Sequence, residues 1–91
     1  MLDIRATSQF KKELKSIVKR GYKAELLWDV VSMLRARQAL PERNRDHALS
    51  GDYVGFRECH IRPDWLLIYQ IHDDKLVLVL SRTGTHSDLF N

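Results

Sequence analysis

Two runs near the C-terminal end, WLLIYQI (65–71) and LVLVL (76–80), do most to limit what this chain can fold into. Both are apolar at odd and even positions, so neither strand has a dry face and a wet one. A sheet that holds them needs cover on both sides. The turn at His72-Asp73-Asp74 between them is too short for a crossover, so they pair antiparallel. A third strand, about Tyr53–Ile61, precedes them across a turn containing Pro63. The three make an antiparallel meander.

The cover for one face lies upstream. Residues 2–6, LDIRA, alternate apolar and polar and read as a short strand. Thr7 or Ser8 can cap a helix running to about Arg20, with Phe10, Leu14, Ile17 and Val18 on one stripe. Lys11, Lys12, Lys15 and Lys19 gather on another face. Gly21 is a C-terminal stop. A second helix spans about Lys23–Arg37, with Leu26, Leu27, Val30, Val31 and Leu34 as its stripe. The expected order is β-α-α-β-β-β, an α+β domain with two N-terminal helices packed on a small antiparallel sheet. Two helices cover one face only. The other is sealed either by the tail SDLFN folding back or by a partner protein.

With 91 residues, 44% hydrophobic and 30% charged, the chain suits one globular domain, 1–91, with a modest core. Its single cysteine, Cys59, allows no internal disulfide and favours a reducing, cytoplasmic setting. The opening MLDIRATSQFKKELK is charged early and has no long apolar run, so neither a signal peptide nor a membrane span is expected. Charge is uneven. Residues 1–46 carry 11 Lys+Arg against 6 Asp+Glu, a balance of +5, and residues 47–91 carry 4 against 6, a balance of −2. A basic half can attract phosphates or simply solvate a helix.

Residues 38–51, QALPERNRDHALSG, lack periodicity and read as a long loop, a common place for function. It holds His47. His60 ends the first meander strand, and Asp64 and Trp65 open the next across Ile61-Arg62-Pro63. Arg82 and His86 lie just past the last strand, at the same sheet end. His47 enters from the opposite end and joins this cluster only if its loop runs along the sheet. Such a set suits metal-free RNA cleavage. Histidines near neutral pKa can take and give protons, and arginine can grip a phosphate with two donors. Trp65 and Phe90 are candidates for stacking on bases, though each also suits a core. Asp64 also reads as a plain turn former, and His72, in the turn, as solvated. His47, His60, Asp64 and His86 also make a three-histidine, one-carboxylate set of zinc-ligand types, but no recognisable ligand spacing such as HExxH or CxxC supports this.

The ordered blocks DHALSGDYVGFRECHIRPDWLLIYQI (46–71) and RTGTHSDLF (82–90), with SQFKKELK fitting more loosely, closely resemble the YafQ branch of the RelE/ParE toxins of bacterial type II toxin–antitoxin modules. The resemblance implies a RelE-like fold and a metal-independent endoribonuclease that cuts mRNA in the ribosomal A site without a cofactor. It implies an antitoxin partner, often with a ribbon-helix-helix DNA-binding half. His47, His60, Asp64, Trp65, His86 and Phe90 match positions the family uses in its active site, and Arg82 matches a neighbouring basic position. The expected roles are His86 as acid, His47 or His60 as base, and Asp64 orienting an imidazole. Lys11, Lys12, Lys15 and Lys19 are expected to meet the ribosome. ParE relatives share the fold and poison gyrase by binding, which leaves a non-catalytic inhibitor as the alternative.

Overall fold

The computed structural model describes residues 1–90. A strand β1 (Asp3–Ala6) leads to two helices, α1 (Ser8–Lys19) and α2 (Ala24–Arg35). Then come β2 (His47–Ala48), β3 (Arg57–Arg62), β4 (Trp65–His72), β5 (Val77–Gly84) and a short helix α3 (His86–Phe90). The α+β order expected of the helices and meander is present, with two differences. The sheet has five strands in the order β1-β5-β4-β3-β2, and β1 runs parallel to β5 rather than antiparallel. The stretch expected to be a plain loop contains β2 between single turns at Glu42–Asn44 and Gly51–Tyr53. Two residues are too few to show alternation, so β2 is set by its neighbour β3 and not by its own pattern. β3 starts at Arg57, four residues later than the apolar content suggested, because the chain turns through Gly51–Tyr53 and Gly55 (φ +91°) before it.

Local chemistry explains the helices. Thr7 caps α1, its hydroxyl accepting from the Phe10 amide at 3.0 Å. Gly21 follows α1 with φ +101°, a left-handed conformation that favours glycine. Phe10 and Ile17 of α1 and Leu27, Val30, Val31 and Leu34 of α2 pack on Cys59, Trp65, Leu67, Tyr69, Leu78 and Leu80. This is the main core.

The opposite face has its own smaller core. Leu66 and Ile68 are covered by Leu89 of α3, with Leu49, Tyr53 and Phe56 packed around them. The chain therefore seals much of this face itself, through its tail and the 49–56 segment together. The double-sided apolar strands are explained without a partner.

Two bulges break the period-two count. Ile68 pairs with Arg82 and Tyr69 with Leu80, so Ser81 is the extra residue. His60 pairs with Leu66 and Arg62 with Trp65, so Ile61 is extra. Each bulge moves one arginine to the face that simple alternation denies it. Arg82 joins the face of Ile68, and Arg62 joins the helix-side row of Trp65.

Candidate active site

The face opposite α1 and α2 collects most of the expected residues. Paired residues share a face, and so do residues two apart on one strand. His47 pairs with Glu58, Glu58 with Ile68, and Ile68 with Arg82. One step along, His60 pairs with Leu66 and Leu66 with Gly84. His47, Glu58, His60 and Arg82 therefore stand on one surface. His86 and Phe90 rim it from α3, two residues beyond Gly84. The requirement that His47 lie along the sheet is met, because β2 is an edge strand beside β3.

Each side chain has a local cause for its position. Asp46 turns to the helix side, where it accepts from the Tyr69 hydroxyl and from Arg57 Nε at 3.3 Å. This anchor leaves the next residue, His47, on the open side. His47 Nδ1 lies 2.6 Å from the carbonyl of Arg45, a residue in a left-handed conformation (φ +47°). His47 Nε2 lies 3.2 Å from Glu58 Oε2, an ion pair when the imidazole is protonated. Asn44, buried, donates to the His60 carbonyl at 2.7 Å and ties the preceding turn to β3. His60 Nδ1 faces the Pro63 carbonyl at 3.3 Å. His86 packs beside Phe90, with ring centres 5.0 Å apart, and Phe90 meets Tyr53 edge-on at 5.8 Å.

Arg82 is clamped. Its Nη2 donates to Glu13 Oε2 at 2.5 Å, and its Nη1 to the Tyr53 hydroxyl at 3.2 Å. The Glu13 carboxylate, and then the tyrosine, raise the guanidinium pKa further, against the effect of burial. The α3 helix is held as firmly. The Asp88 carboxylate accepts from the Thr85 amide at 2.9 Å, and Thr85 Oγ1 accepts from the Asp88 amide at 3.2 Å, a reciprocal cap. Arg20 Nη1 reaches the same carboxylate at 2.8 Å.

Three expectations change. Trp65 is fully buried (0% exposed), with Nε1 donating to Thr83 Oγ1 at 2.8 Å, so it supports the site from the core and cannot stack on a base. Asp64 accepts from the Tyr22 hydroxyl at 2.5 Å through one oxygen, on the helix side, and among the described residues the imidazoles of His47 and His60 face backbone carbonyls and Glu58. His72 ends β4 instead of lying in the turn, and is partly exposed at the far end of the sheet beside Val77. The four-residue metal set is not assembled. Among the described residues, no three His, Cys, Asp or Glu side chains stand close enough to hold an ion. Phe90, by contrast, is 38% exposed and available at the rim. Lys11, Lys12, Lys15 and Lys19 are exposed on α1.

Glu58 and Tyr53 are the residues that the sequence reading missed. Glu58 stands two before His60 in RECHI, a spacing that puts both on one face of a strand, so alternation alone pointed to it. Tyr53 carried no such signal, because its segment is a turn rather than a strand.

The whole chain has close relatives. The family model described as a bacterial toxin of type II toxin-antitoxin system, YafQ, matches residues 2–91. The mRNA interferase toxin YafQ of Escherichia coli strain K12 is 37% identical over 89 residues, 97% of this chain and 95% of that protein. A metal-bound toxin from Helicobacter pylori superposes with a TM-score of 0.93 at 46% identity, over 99% of this chain and 100% of its own. A chain of the E. coli DinJ–YafQ complex superposes with a TM-score of 0.89 at 37% identity, with 100% of both chains covered. Among the described residues no helix is long and apolar enough to cross a membrane. The architecture is RelE-like, and the chain belongs to the YafQ family of bacterial type II toxin–antitoxin toxins.

Proposed function

We propose that this toxin is an mRNA endoribonuclease that works on the ribosome by histidine acid–base chemistry, without a metal or other cofactor. The observation that carries the reading is one sheet face holding His47, Glu58, His60 and Arg82, with His86 and Phe90 at its rim. The base removes the 2′-hydroxyl proton, O2′ attacks the phosphorus, and the P–O5′ bond breaks as the acid protonates O5′. His60 suits the base. The Pro63 carbonyl can only accept, so it favours the tautomer with its proton on Nδ1 and leaves the Nε2 lone pair free. His86 is the acid. His47, between Glu58 and the Arg45 carbonyl, stabilises charge on the phosphorane, and Arg82, three strands away and fixed by Glu13, meets a phosphate further along the RNA. Phe90 stacks on a base at the cut.

Two partners complete the reading. The E. coli relative is an mRNA interferase, and its fold is found in complex with DinJ. By likeness, an antitoxin restrains this toxin in its own cell, one with a ribbon-helix-helix half, and the α1 lysines meet ribosomal RNA. The deciding experiment is cleavage of ribosome-bound mRNA in a chelator selective for zinc and other transition metals, with magnesium kept to hold the ribosome together, followed by end-group analysis. Full activity and 2′,3′-cyclic or 3′-phosphate ends are expected. Cleavage that stops in chelator and returns with zinc would overturn the mechanism.

A further inference from the structure

Glu13 is an acid on the wrong face of its helix. It falls between Phe10 and Ile17, the two buried residues of α1, at spacings that put all three on one side. Its side chain is only 14% exposed. A carboxylate held there needs partners, and a pair of this kind is weak evidence of stability by itself. The partners lie on an open edge of the sheet. β1 leaves at Ala6, opposite Leu80, so β5 has no strand beside it from Ser81 to Gly84. The start of α1 takes that place. The Thr7 hydroxyl donates to the Ser81 carbonyl at 2.8 Å, and Glu13 Oε1 accepts from the Thr83 amide at 3.2 Å.

The same carboxylate grips Arg82 from one direction. Glu13 Oε2 accepts from Nη2 at 2.5 Å and from Nε at 3.2 Å, and Gln9 Nε2 donates to it at 3.2 Å. Nε and Nη2 form one fork of a guanidinium, and Nη1 and Nη2 form the other. Tyr53, its ring packed between Phe56 and Phe90, takes one N–H of Nη1 at 3.2 Å. Among the described residues, one N–H on each terminal nitrogen is left over, and these two make the end fork. We propose that Glu13 is a positioning residue, which occupies the side fork of Arg82 and so presents the end fork to a phosphate of the RNA. The paired acid offsets the arginine's charge, so the clamp supplies direction rather than general attraction. That the anion is RNA rests on the cleavage reading, whereas the clamp rests on geometry alone.

Glu13→Gln keeps the size of the side chain and removes its charge. It is expected to slow single-turnover cleavage of ribosome-bound mRNA about tenfold, the scale of a misplaced group. Binding should be no weaker and its salt slope undiminished, because a negative charge is lost and Arg82 remains. Anisotropy of a short 2′-O-methyl RNA, which lacks the attacking hydroxyl and stays intact, reads the binding. In an Arg82→Gln background, Glu13→Gln should change cleavage less than about twofold, since it acts through Arg82. Arg82→Lys keeps the charge without the fork and should cut as slowly as Glu13→Gln. Losses that multiply, binding and cleavage that fall together in Glu13→Gln, or a lysine variant at the wild-type rate would each overturn the assignment. A last measurement needs no cleavage. The Nε–H resonance of Arg82 should keep its position when the intact RNA is added, and should broaden by faster exchange in Glu13→Gln. RNA that moves this resonance displaces Glu13 and overturns the end-fork assignment. A toxin that cuts no RNA but shows the expected resonance and binding would sink the cleavage reading and leave the clamp standing.

Discussion

His47 and His60 occupy neighbouring rows of one surface but face different partners. Both ring nitrogens of His47 have an acceptor beside them, while among the described residues His60 has one only at Nδ1. The two should therefore respond differently to mutation. His60→Ala and His86→Ala are each expected to slow single-turnover cleavage by ~10²-fold or more, as loss of a proton-transfer group implies. Glu58→Gln is expected to lower the rate less than either. His72→Ala, at the far end of β4, should match wild type, and equal losses at His72 and His86 would show the assignment to be wrong. Trp65 offers the opposite test. Trp65→Phe removes the hydrogen bond to Thr83 and should cost roughly 1 kcal/mol in urea denaturation, with RNA affinity unchanged. Weaker RNA binding in a variant of normal stability would return Trp65 to the substrate surface. The placement of His60 and His86 at one end of the sheet was legible from the meander alone, whereas that of His47 was not, because its two-residue strand shows no pattern of its own. Trp65 was misread because nothing in PDWLL says which parity faces the helices. That is decided by Phe10, Ile17 and Leu27, residues far away in the chain.

At the scale of elements, the site depends on a five-residue helix too short to be stable alone. Three supports hold α3: the Thr85/Asp88 cap, the Arg20 bridge and the burial of Leu89 against Leu66 and Ile68. Gly84 stands beside them. A Cβ there would sit 2.9 Å from Asp88 Cβ and 3.1 Å from Asp88 Oδ2. Gly84→Ala should push α3 outward and carry His86 and Phe90 with it. Cleavage is expected to fall about tenfold or more, since misplacing a catalytic group by an ångström can cost up to ~10²-fold, while circular dichroism keeps the native signature. Normal cleavage would mean that α3 moves without consequence. The Thr85 amide, and after it Arg20, hold the Asp88 carboxyl below the usual aspartate range. A depressed folded pKa stabilises above the unfolded value, near ~3.9. The latch is thus intact at neutral pH and is lost as pH falls through the folded value. Amide shifts of Thr85 and Asp88 should move together, below about pH 4. Helices and meander were readable from period and caps. The two bulges were not, because Ser81 and Ile61 are ordinary strand residues. Counting by twos from Leu78 and Leu80 puts Arg82 on the wrong face, and the structure corrects it through register alone.

For the molecule as a whole, the chain supplies much of the cover for its sheet, and a further apolar surface is left open on the helices. Phe10, Leu14, Val18 and Trp28 line a groove of about 490 Å³ between α1 and α2, with Lys11, Lys15 and Lys19 along its rim. Val18 is 40% exposed and Trp28 42%. An apolar floor with a basic rim suits an amphipathic segment with acidic flanks, and apolar burial at ~25 cal/mol per Å² would drive its docking. The rim lysines are also those proposed to meet ribosomal RNA. On the proposed function one surface would serve two acidic partners, and an antitoxin segment laid in the groove would mask the ribosome-facing charge without touching His60 or His86. Two measurements bear on this. Hydrogen exchange in the toxin–antitoxin complex should gain protection in Ser8–Lys19 and Ala24–Arg35 relative to free toxin. Lys11→Glu/Lys15→Glu should weaken ribosome binding and flatten its salt dependence by ~0.7–0.9 per lost phosphate contact, and it should weaken antitoxin binding as well. Trp28→Ala separates the roles, because it removes groove floor but no charge. It should loosen the antitoxin and leave the ribosome salt slope as it was. Protection confined to Trp65–His72 and Val77–Gly84, with both helices unchanged, would move the antitoxin back to the sheet and leave the lysines to the ribosome alone.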